Sequence, residues 1–224
     1  MTSATIALRE LERATNACRE CPLGERATQS VLGEGPVRAC LMVVGEQPGD
    51  KEDQEGRPFV GPAGRLFDRA VAELGWSREK LYVTNAVKHF KYELRGKRRI
   101  HKTPAQREAD ACLHWLESEI ALVRPAALIA LGAVAARSLL GRRVPVRRER
   151  GRWHEGAVGR RVLVTLHPSA LLRGDPEQKV AAWTAWIEDL SLASQIFDEA
   201  SSPSNKRAKR ARPARKAKSI AATV

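Results

Sequence analysis

No stretch of this 224-residue chain is apolar for long enough to cross a membrane, and no short apolar segment follows its charged start. Membrane insertion and secretion are therefore not expected, and the cytoplasm is the expected compartment. Cysteine is scarce, at four residues; in a reducing compartment these read as metal ligands or core residues, not as disulfides. Acids are missing from the last 24 residues, which carry eight Lys or Arg. Those eight belong to a net charge of +13, so five positive charges remain on the rest. Such a balance favours polyanions, whose counterions are released on binding. Gly33-Glu34-Gly35 lacks a third glycine and precedes an apolar run, which excludes a dinucleotide-binding fingerprint.

At 43% hydrophobic content the chain can build one sizeable core. We expect one domain over residues 1–198 and a low-complexity basic tail over 199–224 that cannot bury enough surface to fold. Apolar runs at Ala39–Val44, Leu81–Lys88, Ala126–Leu131 and Arg161–Leu166 read as strands. Helical stripes lie around them: Leu66, Phe67, Ala70, Val71 and Leu74; Ala105, Ala109, Cys112, Leu116 and Ile120; Val180, Trp183, Ile187 and Leu190. This alternation predicts a three-layer α/β/α sandwich with a central four-stranded parallel sheet. Thr103 with Gln106 reads as a capping box for the helix carrying Cys112. Cys40 falls in a strand and reads as core, and His114 lies off its helix's buried stripe. Trp153 and His154 fall in an arginine-rich connection. Cys18-Arg19-Glu20-Cys21-Pro22 closes an amphipathic helix and has the spacing of a metal or redox half-site.

Glycine and proline crowd one loop, Gly45-Glu46-Gln47-Pro48-Gly49-Asp50-Lys51-Glu52-Asp53, which continues through Gly56-Arg57-Pro58-Phe59-Val60-Gly61-Pro62-Ala63-Gly64. It follows a strand, at the sheet edge where open α/β folds bind ligands. The pattern resembles motif A of the uracil-DNA glycosylase superfamily in its iron–sulfur family 4 form, and His167-Pro168-Ser169-Ala170-Leu171-Leu172-Arg173 resembles motif B. The resemblance covers roughly residues 5–195 and implies the same sandwich fold. It implies that Phe59 stacks on an extruded uracil, that Asn85 reads its edge, and that His167 stabilises charge on the leaving base. Ser169, Leu171 and Arg173 would contact DNA, with Leu171 as a wedge. The family's T-N-x-V-K-C stands here as Thr84-Asn85-Ala86-Val87-Lys88-His89, so the implied ligand set is Cys18, Cys21, His89 and Cys112. That set suits a [4Fe–4S] cluster, and zinc with three cysteines and a histidine stays open.

His89 and Cys112 lie 23 positions apart, more than family 4 usually shows, and the added segment is Tyr92–His101. Its Lys97-Arg98-Arg99-Ile100-His101 resembles the signature loop of the UdgX branch, whose members bond covalently to uracil-containing DNA through that histidine. Gln47, where family 4 usually has alanine or glycine, is a second UdgX-like feature. The resemblance implies His101 as nucleophile, assisted by Glu46 and Gln47, with Gln47 also near the uracil and Lys97, Arg98 and Arg99 on DNA. It implies a monomer that takes uracil in DNA, preferably single-stranded, and is associated with the nucleoid. Two other readings stay open: a family 4 glycosylase with multiple turnovers, and a noncatalytic DNA-binding module with a structural metal. Without the resemblance, the inserted loop is a solvated basic segment on phosphates.

Overall fold

The computed structural model describes residues 2–157, 159–172 and 175–201. Arg173 and most of the expected basic tail lie outside these residues. The strands are β1 (Leu41–Gly45), β2 (Tyr82–Asn85), β3 (Tyr92–Arg95), β4 (Arg98–His101), β5 (Ala127–Leu131), β6 (Arg152–Glu155) and β7 (Arg161–Thr165). The α-helices are α1 (Ser3–Ala17), α2 (Leu23–Arg26), α3 (Asp50–Glu55), α4 (Pro62–Glu73), α5 (Gln106–Val123), α6 (Ala133–Leu140), α7 (Val146–Glu149), α8 (Pro168–Leu171), α9 (Pro176–Ser191) and α10 (Ser194–Ser201). The main sheet runs β2-β1-β5-β7-β6, and β3 with β4 forms a separate two-stranded ribbon.

Strands β1, β2, β5 and β7 pair in parallel. Helices cover both faces of the sheet, so successive residues of one strand pack on opposite sides and the run reads as continuously apolar. Leu41 and Val43 of β1 enter one core with Phe67 and Val71 of α4 and Trp186 and Leu190 of α9. Met42 and Val44 enter the other with Leu116 and Ile120 of α5 and Ala136 and Leu139 of α6. The chain leaves β1 for β2 on one side and returns through β5 on the other. The resulting switch of direction opens a crevice at the carboxyl end of β1.

Four details differ from the sequence reading. A fifth strand, β6, pairs antiparallel with β7 at the sheet edge in the register Trp153↔Leu163. Its Arg, His and Glu side chains suit an exposed edge, and Trp153 lies under the Arg161 guanidinium, 4.6 Å from the ring centroid. Helix α5 starts at Gln106, with Glu108 accepting the Ala105 N–H at 2.6 Å. Thr103 is therefore not its cap. In α9 the buried face carries Trp186 and Leu190, whereas Val180 is 68% exposed. Finally, α10 runs to Ser201, past the expected boundary at 198, with Phe197 stacked on Trp76 at 5.4 Å. No helix among the described residues is long and apolar enough to cross a membrane.

Candidate active site

The crevice is floored by residues from three strand ends. Gly45 ends β1 and pairs in register with Asn85 at the end of β2. A Cβ at position 45 would lie 2.4 Å from Asn85 Oδ1 and 2.8 Å from the Phe59 ring, so only glycine admits both side chains. Phe59 adopts φ +58°, a left-handed conformation unusual for a bulky residue. Its carbonyl is packed against Gly64, where a Cβ would fall 1.7 Å from the oxygen. The buried Glu52 carboxylate ties the loop together by accepting the N–H groups of Gly49 and Gly61 at 3.1 and 2.7 Å. The Phe59 ring is 5.7 Å from Phe67 and 6.4 Å from the His167 ring.

His167 follows β7 and caps α8. Its Nδ1 accepts the Ser169 N–H at 3.2 Å and lies 2.8 Å from Ser169 Oγ. A backbone N–H can only donate, so the neutral imidazole carries its proton on Nε2. Ser169 thus orients His167. Leu171 is buried in the core at 6% exposure, while the next residue, Leu172, is 47% exposed. The wedge expected at 171 therefore points inward, because α8 turns that side chain toward α4 and α9.

The inserted segment is a β-hairpin, with Tyr92 paired to His101 and Gly96 at the turn. Gln47 holds its root with both ends of one amide. Nε2 donates to the carbonyls of Lys91 and Lys102 at 3.2 and 3.1 Å, and Oε1 accepts the Lys91 N–H at 3.0 Å. Gln47 is thereby a clamp on the hairpin, with its amide turned to backbone and not to a base. Arg99 also departs from the expected role on DNA. It lies across Phe90 and Tyr92 and donates to Asp50 Oδ1 and Asp53 Oδ2, both at 2.6 Å. Lys97 and Arg98, at the hairpin tip, are exposed.

His101 ends the hairpin with half its side chain exposed and its ring 6.1 Å from Phe90. Its Nε2 is 3.8 Å from Glu46 Oε1, a buried oxygen with no hydrogen-bond partner among the described residues. Packing lowers the His101 pKa from its ordinary value and burial raises that of Glu46, which a hydrogen bond from Thr103 partly offsets. The result is a neutral imidazole beside a carboxylate able to take a proton.

Of the expected metal ligands, Cys18 and Cys21 follow α1, and Cys112 lies on α5, which packs against α1. Cys112 is buried, accepts the Lys88 N–H at 3.3 Å, and has its thiol pushed up to about 11 by burial. Cys18 and Cys21 lie close enough to act on it electrostatically. His89 is 3% exposed with its pKa lowered by burial, which favours the neutral, ligating form. The Trp115 indole N–H is buried with no hydrogen-bond partner among the described residues, and the ring packs, as does Cys21, against the cluster that includes Cys112. Three thiols, a neutral imidazole and donors near sulfur suit a thiolate-bound iron–sulfur group. Among the described residues, no three such side chains close on a single ion.

The sequence reading passed over a buried network on β2 and α5, in which Lys88 and Glu119 pair with both side chains at 0% exposure. Glu119 lies three residues after Leu116 on the buried stripe, an acid where apolar residues are expected. That position was the available signal.

A family model described as the Uracil DNA glycosylase superfamily matches residues 32–191. The chain is 38% identical over 157 residues to the type-4 uracil-DNA glycosylase of Thermotoga maritima, covering 70% of this chain and 78% of that protein. It is 35% identical over 173 residues to that of Pyrobaculum aerophilum, covering 74% and 85% respectively. With the type-4 uracil-DNA glycosylase of Archaeoglobus fulgidus it shares 31% over 174 residues, covering 74% and 83%.

Proposed function

We propose, from the premise that this chain belongs to the uracil DNA glycosylase superfamily, that it excises uracil from DNA and then traps the abasic sugar on His101. The observation that carries this reading is the placement of the His101 imidazole 3.8 Å from a buried oxygen of Glu46 that has no hydrogen-bond partner among the described residues, Glu46 being the residue that follows Gly45 of the Gly45–Asn85 pair. Uracil must leave the stack to be cut, and single strands lower that cost. Phe59 stacks on the base and the Asn85 amide offers a donor and an acceptor to its edge. The C1′–N1 bond breaks with its electron pair going to uracil, and the Nε2–H of His167 stabilises the anion. The sugar is left as an oxocarbenium cation.

The His101 ring nitrogen then donates its lone pair to C1′, forming a C–N bond. The imidazolium loses its other N–H proton through Glu46 to solvent or to the departing uracil, leaving a neutral N-alkylimidazole. A fixed imidazole outcompetes water by proximity. Because this product has a poor leaving group, each molecule acts once. Exposed Lys97 and Arg98 supply phosphate contacts, and residues 202–224 add a basic tether. Cys18, Cys21, His89 and Cys112 would hold the [4Fe–4S] cluster, which would cross-link the end of α1 to the β2 turn and α5. A monomer working in the cytoplasm on nucleoid DNA suits this chemistry.

A second reading, a conventional glycosylase with multiple turnovers, is favoured by the similarity to the type-4 uracil-DNA glycosylases. One experiment separates the two. The full chain is mixed with a uracil-containing single-stranded oligonucleotide and run on a denaturing gel. Trapping gives a shifted band that His101→Gly abolishes. Release of uracil in molar excess over protein, with no shifted band, supports the conventional enzyme. Equal binding of DNA with and without uracil, and neither product, leaves a noncatalytic binding module.

A further inference from the structure

The Lys88–Glu119 pair lies wholly inside the protein. Ion pairs this deeply buried contribute little net stability compared with apolar residues of the same size, so stability alone does not account for this one. Its geometry gives another reason. The Lys88 ammonium has three donors and three acceptors: a Glu119 carboxylate oxygen, Thr84 Oγ1 at 3.0 Å, and the backbone carbonyl of Asn85 at 2.7 Å. Glu119 is satisfied as fully. Besides Lys88 and the Thr84 hydroxyl, it accepts the Tyr82 hydroxyl at 2.9 Å and the Gly33 N–H at 2.7 Å. A carboxylate held in this way gives the ammonium one position.

The third bond of Lys88 acts on the pocket. β2 ends at Asn85, where the strand ladder stops supplying a partner for its carbonyl. The peptide between Asn85 and Ala86 is fixed at one end by Lys88 on the carbonyl and at the other by the Ala86 N–H donating to Gly45 at 2.9 Å. Releasing either end would let the Asn85 Cα shift, and the direction of its side chain with it. The backbone of Lys88 is held as well, through its N–H to Cys112 and its carbonyl to the Val31 N–H at 2.8 Å.

We infer that Lys88, braced by Glu119, is a positioning residue for base recognition, setting the direction of the Asn85 amide through the Asn85–Ala86 peptide. This inference rests on the reading of the crevice as a uracil site. Displacements of about 1 Å in such groups cost rate by about a hundredfold, so the expected loss is about 10- to 100-fold.

The test uses the full chain carrying Lys88→Met with Glu119→Met, which removes both charges together. Single-turnover kinetics on uracil-containing single strands should show the saturating rate reduced by that factor and the half-saturating DNA concentration unchanged. Inhibition by free uracil should weaken in parallel. In an Asn85→Ala background the same pair of changes should have no further effect, since the positioned group is gone. An unchanged rate in a variant that melts like the wild type overturns the inference, as does an undiminished loss in the Asn85→Ala background. Should the double variant not fold, Thr84→Val loosens the ammonium without unpairing a charge. A few-fold loss confined to the Asn85 background supports the inference, and no loss overturns it. A wild-type chain inert on uracil-DNA overturns the parent reading and this one together. An active wild type with unaffected variants overturns this one alone.

Discussion

Replacing Gln47 with alanine should separate base removal from trapping. The change removes three hydrogen bonds between the amide and the hairpin root. At about 0.5–1.5 kcal/mol each, the hairpin loses roughly 1.5–4.5 kcal/mol of docking free energy. As a two-state equilibrium between docked and undocked hairpins, that loss lowers the docking constant by roughly 10- to 2000-fold. Arg99 remains, with two charge-assisted bonds worth about 1.5–3 kcal/mol each, and it keeps part of the population in place. The net expectation is about tenfold less adduct per cation formed, with water capturing the rest. The assay follows one reaction two ways, with shifted band on a denaturing gel and free uracil by chromatography. Total base loss should change little while the ratio of adduct to hydrolysed product falls. Global melting should barely move, since the hairpin forms its own sheet apart from the main one. Unchanged adduct yield in Gln47→Ala, with no free abasic product, would refute the clamp and leave the position of His101 to the other contacts of the hairpin, Arg99 among them.

The trapping rate should depend on pH with one acid limb. Protonating His101 removes its lone pair, and protonating Glu46 removes the proton acceptor, so rate is lost as pH falls. Because the His101 pKa lies below its ordinary 6.5, the midpoint should fall below that value and the rate should be flat from about pH 7 upward; a midpoint above 6.5 contradicts this. Leu171→Ala should cost about 2–5 kcal/mol in denaturant unfolding as a buried deletion. Leu172→Ala should leave stability alone and slow reaction on duplex more than on single strands, and equal slowing on both would dismiss a role in holding the flipped state. Gly45→Ala places a methyl against Asn85 and Phe59, so it should abolish free-uracil inhibition while affinity for undamaged DNA stays within about twofold, as phosphate contacts dominate that binding. Normal uracil inhibition in that variant counts against the crevice as the base site.

The four parallel strands were legible because helices cover both faces and force continuous apolar runs such as Leu41–Val44. β6 was not, since an edge strand reading Arg-Trp-His-Glu alternates without an apolar face. In β3 Tyr92 and Leu94 alternate with Glu93 and Arg95, but over only four residues, and β4 carries charge on both faces, so the pair did not stand out as strands. His101 and Gln47 stood out as residues, but their geometry did not. The acids that turn Arg99 inward lie 46 and 49 positions away, and a basic loop read alone points its arginines at solvent. The same holds for Lys88, whose carboxylate partner is 31 positions distant. Sequence proximity registers which groups are present, and long-range pairing decides which way they face.

The ribbon formed by β3 and β4 has no ladder in common with the central sheet. It is fastened at its root by Gln47 and along its length by Arg99 and by the Tyr92 hydroxyl on the Arg26 carbonyl. Because the two sheets share no hydrogen-bonded strand, removing the ribbon leaves the pairing of the main sheet unbroken. Grafted onto a relative that lacks it, together with the glutamine, it could convert a recycling hydrolase into a reagent consumed by its own product.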